Sequence, residues 1–161
     1  MYDQDVIDRI WALADRMDPC MFVTTTNDRA HARPVFARVR KNEGAIYVLT
    51  DINGHKLDQI AENPAVLLAF SDERGNDYAV IHGTAKVEQD AAKAKDLWRY
   101  SDETFFKSPD NPDLRVVTVH PDSAELWDGS HLVITGAKIL AERLVGADVE
   151  LVENAKVDHL R

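Results

Sequence analysis

Cysteine is almost absent from this chain, because Cys20 is the only one among 161 residues. A single thiol cannot form a disulfide within the chain, and the sequence has no Cys/His spacing typical of a zinc site. Cys20 begins the apolar run Cys20-Met-Phe-Val and has no histidine beside it in sequence to activate the thiol. We therefore expect a structural role for Cys20, no metal centre, and a reducing compartment.

Long apolar runs are also missing. The longest uninterrupted one, Ala65 to Phe70, falls far short of the roughly 18 residues that a membrane-spanning helix needs. The first residues, Met1-Tyr-Asp-Gln-Asp, are acidic where an export signal is basic. We expect no membrane span, no export signal and a cytoplasmic location.

Positive charge is in deficit, with 19 Lys and Arg against 28 Asp and Glu and a formal net charge of −9. An acidic surface repels a phosphate backbone, so we do not expect nucleic-acid binding, although a small local anion site stays open. The 45% of apolar residues suffices for a core. The length then predicts one domain over residues 1–161.

The apolar pattern changes from a helical to a strand period after the first helix. Apolar residues recur at helical spacing from Asp5 to Met17, and Asp18-Pro19 ends that helix. Further helices are predicted over His55 to Glu62, Asp90 to Tyr100 with Asp90 as N-cap, and Ser130 to Gly146. The predicted strands are Cys20 to Thr26, Ala32 to Arg40, Ala45 to Thr50, Ala65 to Ser71, Tyr78 to Val87, Leu114 to Val119 and Ala124 to Trp127.

The connections between the first strands are too short for a parallel crossover. They contain Asn or Gly, which suit the positive φ of tight turns. Six to seven antiparallel strands with inserted helices predict a mainly β (α+β) fold, a barrel with peripheral helices.

The segment from Thr50 to Lys56 has the make-up of an anion site. It joins a strand end, the polar loop Asp51-Ile-Asn-Gly54 and the start of a helix that carries Lys56 in its first turn. Free N–H groups, the Thr50 hydroxyl and the Lys56 ammonium could meet one phosphate there. The alternative is that Gly54 only turns the chain and Lys56 is solvated.

Two arginines lie on the preceding predicted strand. Arg33 and Arg38 are five residues apart, so their side chains point to opposite faces unless a bulge intervenes. Pro34 removes a backbone donor beside Arg33 and favours an irregular strand there. Either arginine could instead be an exposed strand residue.

Four large aromatic residues follow later in the chain. They suit either the wall of a pocket for a planar ligand or a core and a subunit interface. These residues are Trp98, Phe105, Phe106 and Trp127.

Several segments, in their order and spacing, resemble the pyridoxamine 5'-phosphate oxidase-like flavoproteins, and within them the general stress protein branch. The resemblance extends over nearly the whole chain. It is carried by Arg33-Pro-Val-Phe, Ile46-Tyr-Val-Leu-Thr-Asp, Lys56-Leu-Asp-Gln-Ile-Ala-Glu-Asn-Pro-Ala-Val, Val80-Ile-His-Gly-Thr-Ala-Lys-Val and Ala124-Glu-Leu-Trp-Asp.

The resemblance implies a split β-barrel that binds flavin mononucleotide (FMN) at the interface of a homodimer. It places the phosphate or the ribityl chain on Arg33, Thr50 and Lys56. Val35 and Phe36 would lie along the isoalloxazine ring, with Leu49 nearby. The remaining candidate cofactor contacts are Arg38, His55, Trp98, Phe106 and Trp127.

Three departures from the family pattern qualify these expectations. Gly54 stands where many relatives have a serine, which removes one phosphate hydrogen bond. The stretch Asp128-Gly-Ser-His-Leu-Val lacks the arginine and histidine pattern that binds pyridoxal phosphate in the true oxidases, so vitamin B6 oxidation is not expected. His55 replaces an arginine and is either a pH-sensitive phosphate contact or a helix-start residue without a role.

The sequence thus leads to an FMN-dependent oxidoreductase in which hydride passes between flavin N5 and a nicotinamide (NAD(P)H) or another partner. No catalytic side chain is assigned. The alternatives are a flavin-binding stress or sensor protein without turnover, and the same fold binding deazaflavin or haem.

Overall fold

The computed structural model describes residues 3–129, 155–157 and 160. The predicted helix from Ser130 to Gly146 lies outside them. The helices are α1 (Asp3–Arg16), α2 (His55–Glu62), α3 (Ala91–Leu97) and α4 (Glu103–Phe106). The strands are β1 (Cys20–Thr26), β2 (Arg29–Val35), β3 (Ala37–Arg40), β4 (Ala45–Asp51), β5 (Ala65–Asp72), β6 (Asp77–Glu88), β7 (Leu114–Trp127) and β8 (Ala155–Val157).

The strands form one antiparallel sheet in the order β2-β1-β5-β6-β7-β4-β3, with β8 beside β7. The two ends of this path, β2 and β3, are consecutive in sequence and are separated only by Phe36. The sheet therefore curls back on itself, and the same stretch of chain borders both of its edges. This arrangement confirms the predicted split β-barrel.

The break at Phe36 differs from the single strand predicted over Ala32 to Arg40. β2 pairs with β1 as far as Val35, and β3 begins its pairing with β4 at Ala37. The chain must turn a corner where it changes its partner strand. The alternation of apolar and polar residues does not predict a corner of this kind.

β7 is one strand where the sequence predicts two, because Pro121 resembles a turn residue. The register with β6 shifts between His82 and Gly83, so the bulge accommodates Pro121 without ending the strand. Gly83 is required there, since a Cβ would lie 2.5 Å from the His120 carbonyl oxygen.

Two apolar clusters hold the fold together. The larger fills the barrel and includes the inner face of α1, represented by Ile10 and Leu13. The smaller lies outside the barrel, where Ala94 and Leu97 of α3 pack on β4 and β7. Asp90 accepts the Lys93 N–H at 2.9 Å, which confirms the predicted N-cap.

The predicted third helix is shorter than expected. It ends at Leu97, and a 3-10 turn over Tyr100–Asp102 leads into α4, in a region predicted as loop. None of the helices in the described part of the chain has the length and apolar character needed to cross a membrane.

Candidate functional site

The end of β4 and the start of α2 place a lysine beside a buried hydroxyl. Lys56 Nζ donates a hydrogen bond of 2.7 Å to Thr50 Oγ1. Thr50 is buried, and Lys56 is half-buried in the first turn of α2. A cation in this position opposes the helix dipole unless an anion accompanies it.

Arg33 reaches the same region from β2. Its Nη1 and Nη2 donate to Thr24 Oγ1 at 3.0 and 3.1 Å, and Nη2 donates to Gln59 Oε1 at 2.5 Å. Thr24 in turn donates to Gln59 Oε1 at 2.6 Å. Among the residues that the structure describes, only neutral acceptors orient the guanidinium.

Helix α2 brings the two cations into one cluster. Gln59 and Lys56 are three residues apart and thus share a helix face. Burial lowers the pKa of the Lys56 ammonium, and the charge of Arg33 lowers it further, while Asp51 has the opposite, weaker influence. Burial also lowers the pKa of Arg33. Two like charges are thus held close together at some electrostatic cost.

Other lysines that line clefts in the described residues have carboxylate partners. A cleft of about 630 Å³ beside α1 contains Lys41, which pairs with Asp8 at 2.8 Å. A second cleft of about 270 Å³ contains Lys93, which pairs with Glu43 at 3.0 Å. Arg33 and Lys56 form no such ion pair within the described residues.

Gly54 lies directly against this cluster. A Cβ at this position would stand 3.1 Å from Thr50 Oγ1 and 3.6 Å from Lys56 Nζ. Its φ of −70° is open to any residue, so the backbone does not demand glycine here. The absent side chain leaves space beside the two donors.

The structure removes Arg38 from the candidate cofactor contacts. Arg38 is 2% exposed and forms an ion pair with Asp102, which is equally buried. It also donates to the carbonyl oxygens of Phe36 and Leu97. Its charge is neutralised inside the protein, so no ligand can meet it there.

The remaining candidates divide by exposure. Among the predicted ring contacts, Phe36 is 40% exposed, whereas Val35 and Leu49 are buried in the two apolar clusters and could offer only backbone atoms. His55 is an exposed first residue of α2.

The structure separates Trp127 from the other two candidate aromatic residues. Trp98 and Phe106 pack against the smaller apolar cluster. Trp127 lies at the far end of β7 from Arg115, the register partner of Thr50. Within one chain Trp127 therefore stands apart from the Arg33–Lys56 cluster.

Sequence reasoning omitted Thr24 and Gln59 from the site. Gln59 could have been included, because its spacing from Lys56 on a predicted helix puts both on one face. Thr24 could not, since its contact with Arg33 depends on the pairing of β1 with β2. Phe105, named in the sequence only as one of four aromatics, is 61% exposed.

Cys20 has the structural character expected of it. It is buried, and desolvation raises the pKa of its thiol to about 12. A thiol of this kind is unreactive at neutral pH. Among the described residues, no group of three or more His, Cys, Asp or Glu side chains could hold a metal ion.

Comparison with known proteins places these observations in a family. The family model described as "Pyridoxamine 5'-phosphate oxidase like" matches residues 5–150. General stress protein 26 of Bacillus subtilis (strain 168) is 26% identical over 131 residues, which covers 80% of this chain and 92% of that protein.

Solved structures share the fold. The General Stress Protein 26 of Bacillus anthracis superposes with a TM-score of 0.68 at 21% identity, over 75% of this chain and 92% of that one. The general stress FMN/FAD binding protein of Xanthomonas citri superposes with a TM-score of 0.67 at 19% identity, over 96% and 97% of the two chains.

Proposed function

Because the chain belongs to the pyridoxamine 5'-phosphate oxidase-like family, we propose that it binds FMN and acts as a flavin-dependent oxidoreductase. The observation that carries this proposal is the Arg33–Lys56 cluster. Lys56 lies at the start of α2, Arg33 extends from β2, and both bond only to hydroxyl and amide groups in the described part of the chain. A phosphate monoester supplies the missing negative charge and the acceptor oxygens.

The donor set fits the phosphate of FMN. Lys56 and Arg33 provide two charged donors, and the Thr50 hydroxyl is free to reorient when Lys56 turns to the ligand. Gln59 and Thr24 hold the Arg33 guanidinium in place. A Cβ at Gly54 would stand 3.1 Å from Thr50 Oγ1 and 3.2 Å from the Asp51 carbonyl oxygen, so the glycine keeps the groups around Lys56 uncrowded.

When bound, flavin supplies hydride transfer at its N5 atom. The protein then has three tasks, which are to bind the phosphate, to orient the ring and to exclude water. Phe36, exposed beside the cluster on the same stretch of chain, borders the ring in this proposal. Lys56 and Arg33 neutralise the phosphate and favour the anionic ligand over an uncharged flavin.

Flavin titration tests the cofactor proposal. FMN is expected to bind more tightly than riboflavin, since only FMN carries the phosphate. Fluorescence quenching measures both affinities on the same preparation. Equal affinities would show that the Thr50–Lys56 loop is only a turn. The absorption spectrum of the purified protein separates flavin from deazaflavin and haem.

Anaerobic reduction tests the oxidoreductase proposal. NADH or NADPH is added to the FMN complex, and the flavin absorbance is followed. Rapid bleaching is the result expected of an enzyme. A stable yellow complex would instead assign the protein as a flavin-binding stress or sensor protein without turnover.

We further propose that the protein is a homodimer with a reducing, cytoplasmic environment. Large exposed aromatics such as Tyr100, Phe105 and Phe36 support a subunit contact in this region. A stable interface would bury about 2,000 Å² or more. Sedimentation at micromolar concentration should therefore give twice the chain mass of 18.1 kDa, and a monomer would contradict the proposal.

A further inference from the structure

The corner between β2 and β3 is held by charged side chains. Arg38 donates to the carbonyl oxygen of Phe36. The Ala37 N–H donates to Asp18 Oδ1 at 3.1 Å, and the Ala37 carbonyl accepts from Arg99 Nη2 at 3.2 Å. Side chains thus satisfy the backbone where the strand changes its partner.

Asp102 connects this corner to the segment that carries Phe105. Its carboxylate pairs with Arg38 and also accepts the Arg99 backbone N–H at 2.7 Å. Asp102 is the residue immediately before α4, and Phe105 lies on α4. The buried ion pair therefore fixes the start of the helix that presents Phe105.

Phe105 rests against Phe36, and both rings remain open to solvent. Their centroids are 5.9 Å apart with an interplanar angle of 44°. Phe105 is 61% exposed and Phe36 is 40% exposed. The neighbouring Phe106 instead turns to the smaller apolar cluster. Only the first ring of this Phe-Phe pair can meet a ligand at the corner.

The ring pair lies next to the proposed phosphate site. Ala37 is in register with Val48. Phe36 immediately precedes this pair, and Thr50 follows Val48 by two residues along β4. A ligand with its phosphate at Thr50 has its planar ring within reach of this corner.

We propose that Phe105 contacts the isoalloxazine ring and that Arg38 and Asp102 are positioning residues that hold Phe105 against Phe36. This inference rests on the proposed FMN binding. It assigns Arg38 an indirect role, through Asp102 and α4, in place of a direct contact with the cofactor.

The first test compares Phe105→Ala with Tyr100→Ala. Phe105→Ala is expected to weaken FMN and riboflavin alike, by about 3- to 10-fold, because a lost aromatic contact affects the ring and not the phosphate. The FMN/riboflavin affinity ratio stays unchanged. Tyr100 is 90% exposed in the same proposed subunit contact, so Tyr100→Ala measures how far the loss of that contact alone weakens flavin binding, and a loss equal to that of Phe105→Ala would overturn the inference.

The second test removes both charges of the ion pair in the double variant Arg38→Met/Asp102→Asn. A neutral replacement avoids the isolated buried charge that would strongly destabilise a single variant. The carboxamide oxygen introduced by Asp102→Asn can still accept the Arg99 N–H. We expect both flavins to bind about 3- to 10-fold more weakly, and Phe105→Ala added to this background to have little further effect.

The outcomes separate the two proposals. If the parent binds no flavin, both fail. If Lys56→Ala weakens FMN but Phe105→Ala leaves both flavins unaffected, FMN binding stands and the present inference is wrong. A folded double variant with parental flavin affinity would show that the pair only stabilises the fold. A Phe105→Ala protein that becomes monomeric and keeps its flavin affinity would assign Phe105 to the subunit contact.

Discussion

Two arginines on one stretch of chain, Arg33 and Arg38, have opposite environments. Arg38 is 2% exposed and paired with the carboxylate of Asp102. Arg33 is half-exposed and bonded to Thr24 and Gln59, which carry no charge. The first guanidinium is neutralised by the protein, and the second is left with Lys56 as a like-charged neighbour.

This difference indicates which cation is structural and which is available to a ligand. A buried charge needs a counter-charge for folding, so Arg38 contributes to the corner of the barrel. A half-buried cation with neutral partners keeps its capacity for an anion. Substitutions at the Arg38–Asp102 pair should accordingly lower stability and reach flavin affinity only through Phe105, whereas substitutions at the Arg33–Lys56 cluster should change the affinity for the phosphate.

The largest effect is expected from Asp102→Ala. It leaves the Arg38 guanidinium buried without its counter-charge, and we expect the free energy of unfolding to fall by about 3–5 kcal/mol. Urea denaturation measures this loss. Lys56→Met, the corresponding change in the other region, should leave the apo-protein as stable as the parent or slightly more so. A small loss for Asp102→Ala would mean that solvent reaches the pair.

Lys56→Ala should have the second largest effect, on affinity. We expect FMN binding to weaken by about 1.5–3 kcal/mol, the value of a charge-assisted contact, with riboflavin binding nearly unchanged. Lys41→Ala is the matched control, because Lys41 is exposed and already paired with Asp8. A Lys56→Ala protein with parental FMN affinity would leave the phosphate to Arg33 alone.

Local signals in the sequence predicted β1, β4, β5, β6, the α2 start and the Thr50–Lys56 loop. Each depends on neighbours a few residues apart, as with the Asp90 cap on Lys93. The role of Arg38 could not be predicted in this way. Its partner Asp102 is 64 residues away in sequence, and no local period relates the two positions.

The corner at Phe36 illustrates the same limit. The backbone of Ala37 at this corner forms hydrogen bonds with the side chains of Asp18 and Arg99, which are both distant from it in sequence. The prediction for β7 was wrong for a different reason. Pro121 is normally a turn signal, but a bulge accommodates it within one strand. The number of short strands and their short connections indicated a barrel, while contacts distant in sequence decided where the barrel bends.

A smaller effect is expected at Gly54, where a serine can be introduced. Gly54→Ser adds a hydroxyl beside the phosphate, and Gly54→Ala adds only the Cβ, which stands 3.1 Å from Thr50 Oγ1. The difference between the two variants isolates the hydroxyl. We expect Gly54→Ser to bind FMN more tightly than Gly54→Ala by about 1 kcal/mol, with no difference for riboflavin. Fluorescence titration of both variants with both flavins decides it.

The smallest expected effect is on the pH dependence of stability. Burial and then Arg33 hold the pKa of Lys56 in the folded apo-protein below its usual 10.5. Between the lowered pKa and 10.5 the unfolded chain binds more protons than the folded one, so the contribution of Lys56 to stability rises with pH in that window. The parent should therefore gain stability relative to Lys56→Met as pH increases toward 10.5, as urea denaturation of both proteins would measure.

Excess FMN should reduce or reverse this increase with pH in the stability of the parent relative to Lys56→Met. The phosphate stabilises the charged ammonium and raises the pKa of Lys56 again, so the bound protein no longer releases a proton on folding. Riboflavin, which has no phosphate, serves as the control and should leave the slope as in the apo-protein. A stability difference that does not vary with pH would show that Lys56 is solvated. The Arg33–Lys56 cluster would then lack the electrostatic cost that distinguishes it from the Arg38–Asp102 pair.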